Sequence, residues 1–160
     1  MNDKHLKYLL MAFACLAILL GGGMAHAAKM IDGSKPGDIL EIAKGFGYAT
    51  LDTDDDGDPM ITGRIDGNRF VIHFYNCTNG ENCGVILLRA AWISDNVDWE
   101  TLNGWNTRML VGMAYLDDEN DPVIELPVIL EGGVSADNLE EVFDYWRTVL
   151  GSFETEVIKD

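Results

Sequence analysis

The stretch Met60-Ile61-Thr62-Gly63-Arg64-Ile65-Asp66-Gly67-Asn68-Arg69-Phe70-Val71-Ile72-His73-Phe74-Tyr75 decides the fold. Asp66-Gly67 is a two-residue hairpin signal, because such turns need left-handed backbone at their centre and Asp-Gly tolerates it. After the turn Phe70, Ile72 and Phe74 alternate with Val71, His73 and Tyr75. Successive side chains of a strand point to opposite faces, so one face is firmly apolar and the other mixed. An antiparallel sheet with one face on a core fits that pattern.

Working outward, Tyr48 to Leu51 and Val85 to Trp92 read as further strands beside Met60 to Ile65 and Asn68 to Tyr75. Before them, Ser34 is placed to cap a helix with Pro36 in its first turn and Ile39, Leu40, Ile42 and Ala43 as apolar positions, stopped by Gly45 or Gly47. Asp98 opens a second, short helix through Thr107. Strands at Met109 to Leu116 and Val123 to Leu130 follow, joined by the polar turn Asp117 to Pro122. Pro127 cannot donate a ladder hydrogen bond, which points its strand to an edge or a bulge. The clearest helix opens at Ser135 and runs to about Phe153. Leu139, Val142, Phe143, Trp146, Leu150, Phe153 and Val157 share one helical face, and Glu140, Glu141, Asp144 and Arg147 the other. The fold class is therefore α+β, a twisted antiparallel sheet packed with helices in the order α-β4-α-β2-α.

The beginning of the chain carries an address. Lys4 and Lys7 precede the uncharged apolar run Leu9 to Leu20, Gly21-Gly22-Gly23 breaks it, and Ala25-His26-Ala27 has a small-x-small cleavage pattern. A run of about 12 residues spans only ~18 Å as a helix, against ~30 Å of bilayer core, so it suits a cleaved signal better than an anchor. The expected layout is a signal peptide over 1–27, a short linker over 28–33 and a single domain over 34–160. Cleavage near Ala27 leaves a periplasmic or secreted protein, with no membrane insertion of the mature chain.

From Ala28 on there are 9 basic and 26 acidic residues, a formal net charge of −17. That charge excludes nucleic acid as a partner, since binding it needs Lys and Arg to displace counterions. Cys15 leaves with the signal, so Cys77 and Cys83 remain, and an even pair in an exported chain is expected to be a disulfide. Asn79, Gly80 and Asn82 favour the tight backbone that so short a ring requires. Zinc held by His73, Cys77 and Cys83 would need free thiolates and a fourth ligand. Thioredoxin-type chemistry would need two residues between the cysteines rather than five.

Asp52, Asp54, Asp56 and Gly57 match the first half of an EF-hand loop, with Asp58 as a further oxygen donor. Gly63 stands where that loop needs its bidentate glutamate, so the segment reads as a polar turn, with a weak calcium site as the alternative. Core or helix packing is the first reading for Trp105, with a partner-binding edge of Trp105 and Asn106 as the alternative. His73 is the only histidine after Ala27, and no nucleophile elbow, phosphate loop or dinucleotide fingerprint appears. The reading is a non-enzymatic module without a cofactor, calcium aside.

Asp56-Gly57-Asp58-Pro59, Ile65-Asp66-Gly67, Phe74-Tyr75-Asn76-Cys77-Thr78 and Leu102-Asn103-Gly104-Trp105-Asn106 come in the order seen in YbjN-domain proteins. Ala114-Tyr115-Leu116-Asp117, Gly132-Gly133-Val134-Ser135 and the helix from Trp146 to Phe153 extend the resemblance. It implies a bacterial sensory-transduction regulator with a fold similar to type III secretion chaperones. It implies no catalytic residues. The expected partner is a protein or peptide bound through a sheet face or edge, with homodimerisation as a further expectation.

Overall fold

The computed structural model describes residues 28–159. The signal-like segment 1–27, with Cys15, lies outside the described residues. Strand β1 (Met30–Ile31) leads to α1 (Pro36–Phe46), and β2 (Tyr48–Thr53), β3 (Pro59–Ile65), β4 (Asn68–Tyr75) and β5 (Val85–Ala91) follow. Then come α2 (Trp99–Arg108), β6 (Met113–Leu116), β7 (Pro122–Ile129), β8 (Val134–Ser135) and α3 (Ala136–Phe153). A π-helical turn, Glu154–Ile158, extends α3. Six strands form one antiparallel sheet in the order β2-β3-β4-β5-β7-β6, and β1 pairs with β8 in a small second ladder.

The β3–β4 hairpin has the register its sequence asks for. Asp66 and Gly67 take φ of 49° and 94°, and Ile65 faces Asn68 across the turn. Phe70, Ile72 and Phe74 are buried, and Gly63 stands opposite Phe70. A Cβ on Gly63 would meet the Phe70 ring at 2.4 Å, so the glycine makes room for the aromatic ring.

All three helices lie on this face. Ile39 and Ala43 of α1, Leu102 and Trp105 of α2, and Leu139, Phe143, Trp146, Leu150 and Phe153 of α3 join one core with Ile61, Ile72, Ile86, Leu88 and Ile124. Aromatic contacts link the layers: Phe143 stacks on Phe46 at 5.5 Å and meets Phe70 edge-on at 6.5 Å, while Phe153 meets Trp105 edge-on at 5.1 Å. Ser135 caps α3 by accepting a hydrogen bond from the Asn138 amide at 3.1 Å, and Asp98 caps α2 through the Thr101 amide at 2.8 Å.

Several expectations need correction. The segment 28–33 is more than a linker, because Ile31 is buried and β1 pairs with β8. Ser34 does not cap α1; its hydroxyl and amide both donate to Asp32, and Lys35 occupies the cap position without a side-chain bond. The strand expected from Met109 begins only at Met113, because α2 runs to Arg108 and Gly112 turns the chain at φ 87°. β7 is flanked by β5 throughout and by β6 only from Pro122 to Glu125. Pro127 therefore sits where β7 has an open side, the local edge its chemistry requires.

Candidate functional site

Among the described residues, no helix covers the face of the sheet opposite the core. Register puts Tyr48, Arg64 and Arg69 in one row across it and Thr62, Val71, Arg89, Glu125 and Met113 in the next. Asp52, Met60, His73, Leu87 and Pro127 form a third row, and Tyr75, Val85 and Ile129 a fourth. Asp52 and His73 aside, the last two rows are apolar, and Tyr75, Pro127 and Ile129 are exposed. Val123 is the buried exception on this face, between Ala91 and Tyr115 in register.

A polar cluster occupies the middle of the bare face. The Tyr115 hydroxyl donates to Glu125 at 2.8 Å, and the Arg89 guanidinium lies 3.3 Å from Glu125 and 3.7 Å from Asp117. Burial, then the bond to Glu125, pushes the Tyr115 hydroxyl above its ordinary range. Partial burial, and next the charge of Arg89, holds the His73 imidazole below its ordinary value, against the opposing pull of Asp54 and Glu125. The cluster holds its own charges in check, and His73 beside it favours the neutral form.

The predicted disulfide is present between Cys77 and Cys83. Asn79, Gly80 and Asn82 all take positive φ, as the short ring demands, and Thr78 and Glu81 exchange backbone hydrogen bonds inside it. Cys83 is buried, and its amide donates to the Gly33 carbonyl at 3.2 Å. The ring thus clamps one loop against the amino-terminal segment.

Asp54 is a turn residue. Its Oδ1 accepts the amides of Asp56 at 3.0 Å and Asp58 at 2.9 Å, while its own amide donates to the Asp58 carbonyl. Asp52 accepts the Thr53 amide. The turn between β6 and β7 repeats this arrangement: Asp117 accepts the amides of Glu119 and Asp121, both at 3.0 Å. Gly57 and Asn120 take the positive-φ position in each, and Pro59 and Pro122 begin the next strands. Among the described residues, no three of His, Cys, Asp and Glu gather as a metal-binding group. Asp54, Asp56 and Asp58 are placed in a hairpin connection, and Asp52 lies at the end of β2, opposite Met60.

Trp105 lies in the core and Asn106 bonds within the fold. The Trp105 side chain is fully buried, with its indole N–H facing no protein acceptor, as is also true of Trp146. Asn106 is spent on Ala114, giving an N–H to its carbonyl and accepting its amide, each at 2.9 Å. Those bonds pin α2 to β6. The exposed indole is that of Trp99, on the first turn of α2. The bare sheet was half legible, since the alternation in β4 marked a mixed face; only the pairing order shows which residues share it.

A two-layer α+β domain with all its helices on one side of an antiparallel sheet is the class this architecture defines. A comparison with protein families matches residues 36–159 to YbjN, described as "Putative bacterial sensory transduction regulator". The chain belongs to the YbjN family. No curated protein and no solved structure matches it. The likeness to type III secretion chaperones therefore rests on the family resemblance. No helix among the described residues is long and apolar enough to cross a membrane.

Proposed function

We propose that this YbjN protein is an exported, non-enzymatic regulatory module that binds a protein or peptide partner on the bare face of its sheet. The observation that carries this reading is the uncovered apolar pair of rows, Met60, Leu87 and Pro127 beside Val85 and Ile129, on a sheet whose other face already holds a complete core. Contiguous apolar surface of this kind marks interaction sites in soluble proteins. Export is supported by the signal pattern of residues 1–27 together with the Cys77–Cys83 disulfide, a bond that persists in oxidising compartments. The protein then acts in the periplasm or outside the cell, where a regulatory role works through envelope partners.

Site-specific photo-crosslinkers test the reading. One is placed at Leu87 on the bare face and one at Glu141 on the outer side of α3, in the full chain expressed in bacteria. A partner band that forms from position 87 and not from 141 is the expected result. Equal crosslinking from both positions, or none from 87, removes the sheet face from consideration.

A further inference from the structure

Of the nine basic residues from Ala28 on, six pair with carboxylates: Lys29, Lys44, Arg89, Arg108, Arg147 and Lys159. Like Lys35, Arg64 and Arg69 make no such pair among the described residues, although 26 acidic residues share the segment. They stand directly opposite each other on β3 and β4, on the bare face of the sheet, and both are exposed. Like charges directly opposite across a ladder repel and cost stability. Nothing within the described chain offsets that repulsion beyond one bond, from Arg64 Nη1 to the Gly67 carbonyl at 2.7 Å.

The surroundings suit an anion. A shallow hollow of about 190 Å³ is lined by Tyr48, Thr62, Gly63, Arg64 and Arg69, with no carboxylate among them. Tyr48 and Thr62 add hydroxyl donors beside two guanidinium groups, whose planar forks match a carboxylate's two oxygens. From the Arg69 row to the Tyr75 row is six residues along β4, roughly 20 Å at strand spacing. An extended segment of about six residues can therefore reach from the arginines to the apolar rows.

We propose that Arg64 and Arg69 form a carboxylate subsite, which receives an acidic side chain at one end of an extended, otherwise apolar segment of a partner protein. This rests on the sheet-face reading above and names the chemistry of its ligand. A net charge of −17 disfavours polyphosphates and anionic bilayers at long range, while one carboxylate inside an apolar segment meets the two arginines locally. The unpaired arginines are thus a stability cost retained for recognition.

The test uses NMR titration of the full chain with two capped hexapeptides, Glu-Val-Thr-Val-Thr-Val and its Gln-first analogue. The Glu peptide is expected to shift the Arg64 and Arg69 Nε–H signals together with the methyls of Val71 and Leu87. The Gln peptide is expected to bind about tenfold more weakly, which corresponds to the loss of two exposed ion pairs. R64Q/R69Q is expected to abolish that preference while unfolding at a higher temperature than the parent, since the repulsion is gone. Methyl shifts without arginine shifts overturn the subsite and leave the sheet-face reading standing; no shift of either kind overturns both. Binding to equal-part phosphatidylglycerol and phosphatidylcholine vesicles in place of the peptide overturns the protein ligand. A dimer that R64Q/R69Q dissociates overturns it in favour of a second copy. A lower melting temperature for R64Q/R69Q marks the arginines as structural and also overturns the proposal.

Discussion

His73 shows how one residue couples the bare face to pH. Leu87 and Met60 flank it in register, and Arg89, Asp54 and Glu125 supply the charges that act on it. Its folded pKa lies below the ordinary 6.5, so the unfolded chain takes up the proton first as pH falls. This contribution to stability is complete above pH 6.5 and declines as pH drops from 6.5 toward the lowered folded value. His73→Gln should flatten that part of the profile, read from urea midpoints at about pH 7.5 and about pH 5.5. Asp54 is a second case, where the same carboxylate supports either a turn or a cation. Because its Oδ1 already accepts two amides, Asp54→Ala should cost about 1–2 kcal/mol. That loss should be the same with millimolar calcium or with chelator in the urea titration. Both residues stand out in the sequence, and so does the turn around Asp54, but the neighbourhood of His73 does not, since Arg89 and Glu125 arrive from other strands.

At the scale of elements, local signals fixed most boundaries and failed where long-range contacts intervene. Asp66-Gly67 set the β3–β4 turn, Asp98 and Ser135 the starts of α2 and α3, and positive-φ residues the disulfide ring. Two-residue strands carry no periodicity, so the sequence does not mark β1 and β8, which the burial of Ile31 and its pairing with Val134 define. Ser34 looked like a cap and instead bonds Asp32, a competition between turn and helix that sequence alone does not resolve. The disulfide ring carries the element-scale prediction. Chain-entropy arguments assign so small a ring about 2 kcal/mol. Urea unfolding with and without dithiothreitol should show a difference of that size. Gly33→Ala should add a separate loss of about 1–3 kcal/mol, because a Cβ there would lie 1.8 Å from the Cys83 carbonyl oxygen.

For the whole molecule, the one-sided sheet makes neighbouring residues of a single strand behave oppositely. Leu88 faces the core and is fully buried, whereas Leu87 faces outward beside His73 and Pro127. Leu88→Ala should cost about 2–5 kcal/mol and Leu87→Ala about 1 kcal/mol or less, measured by chemical denaturation. Crosslinking from Tyr75, another exposed position of the same face, should suffer in the second variant and not through instability. The sequence by itself determined the class of fold, the β3–β4 turn, the disulfide and the acidic charge, because turn chemistry, period-2 and 3.6 alternation and cysteine pairing act over a few residues. It also placed the chain's residues in the order of the YbjN family. Only the tertiary structure decided that Trp105 lies in the core and that Arg64, Arg69 and the apolar rows share one open surface. Those facts depend on which strands become neighbours, in the order β2-β3-β4-β5-β7-β6, and strand order is set by burial of the whole core rather than by any local pattern.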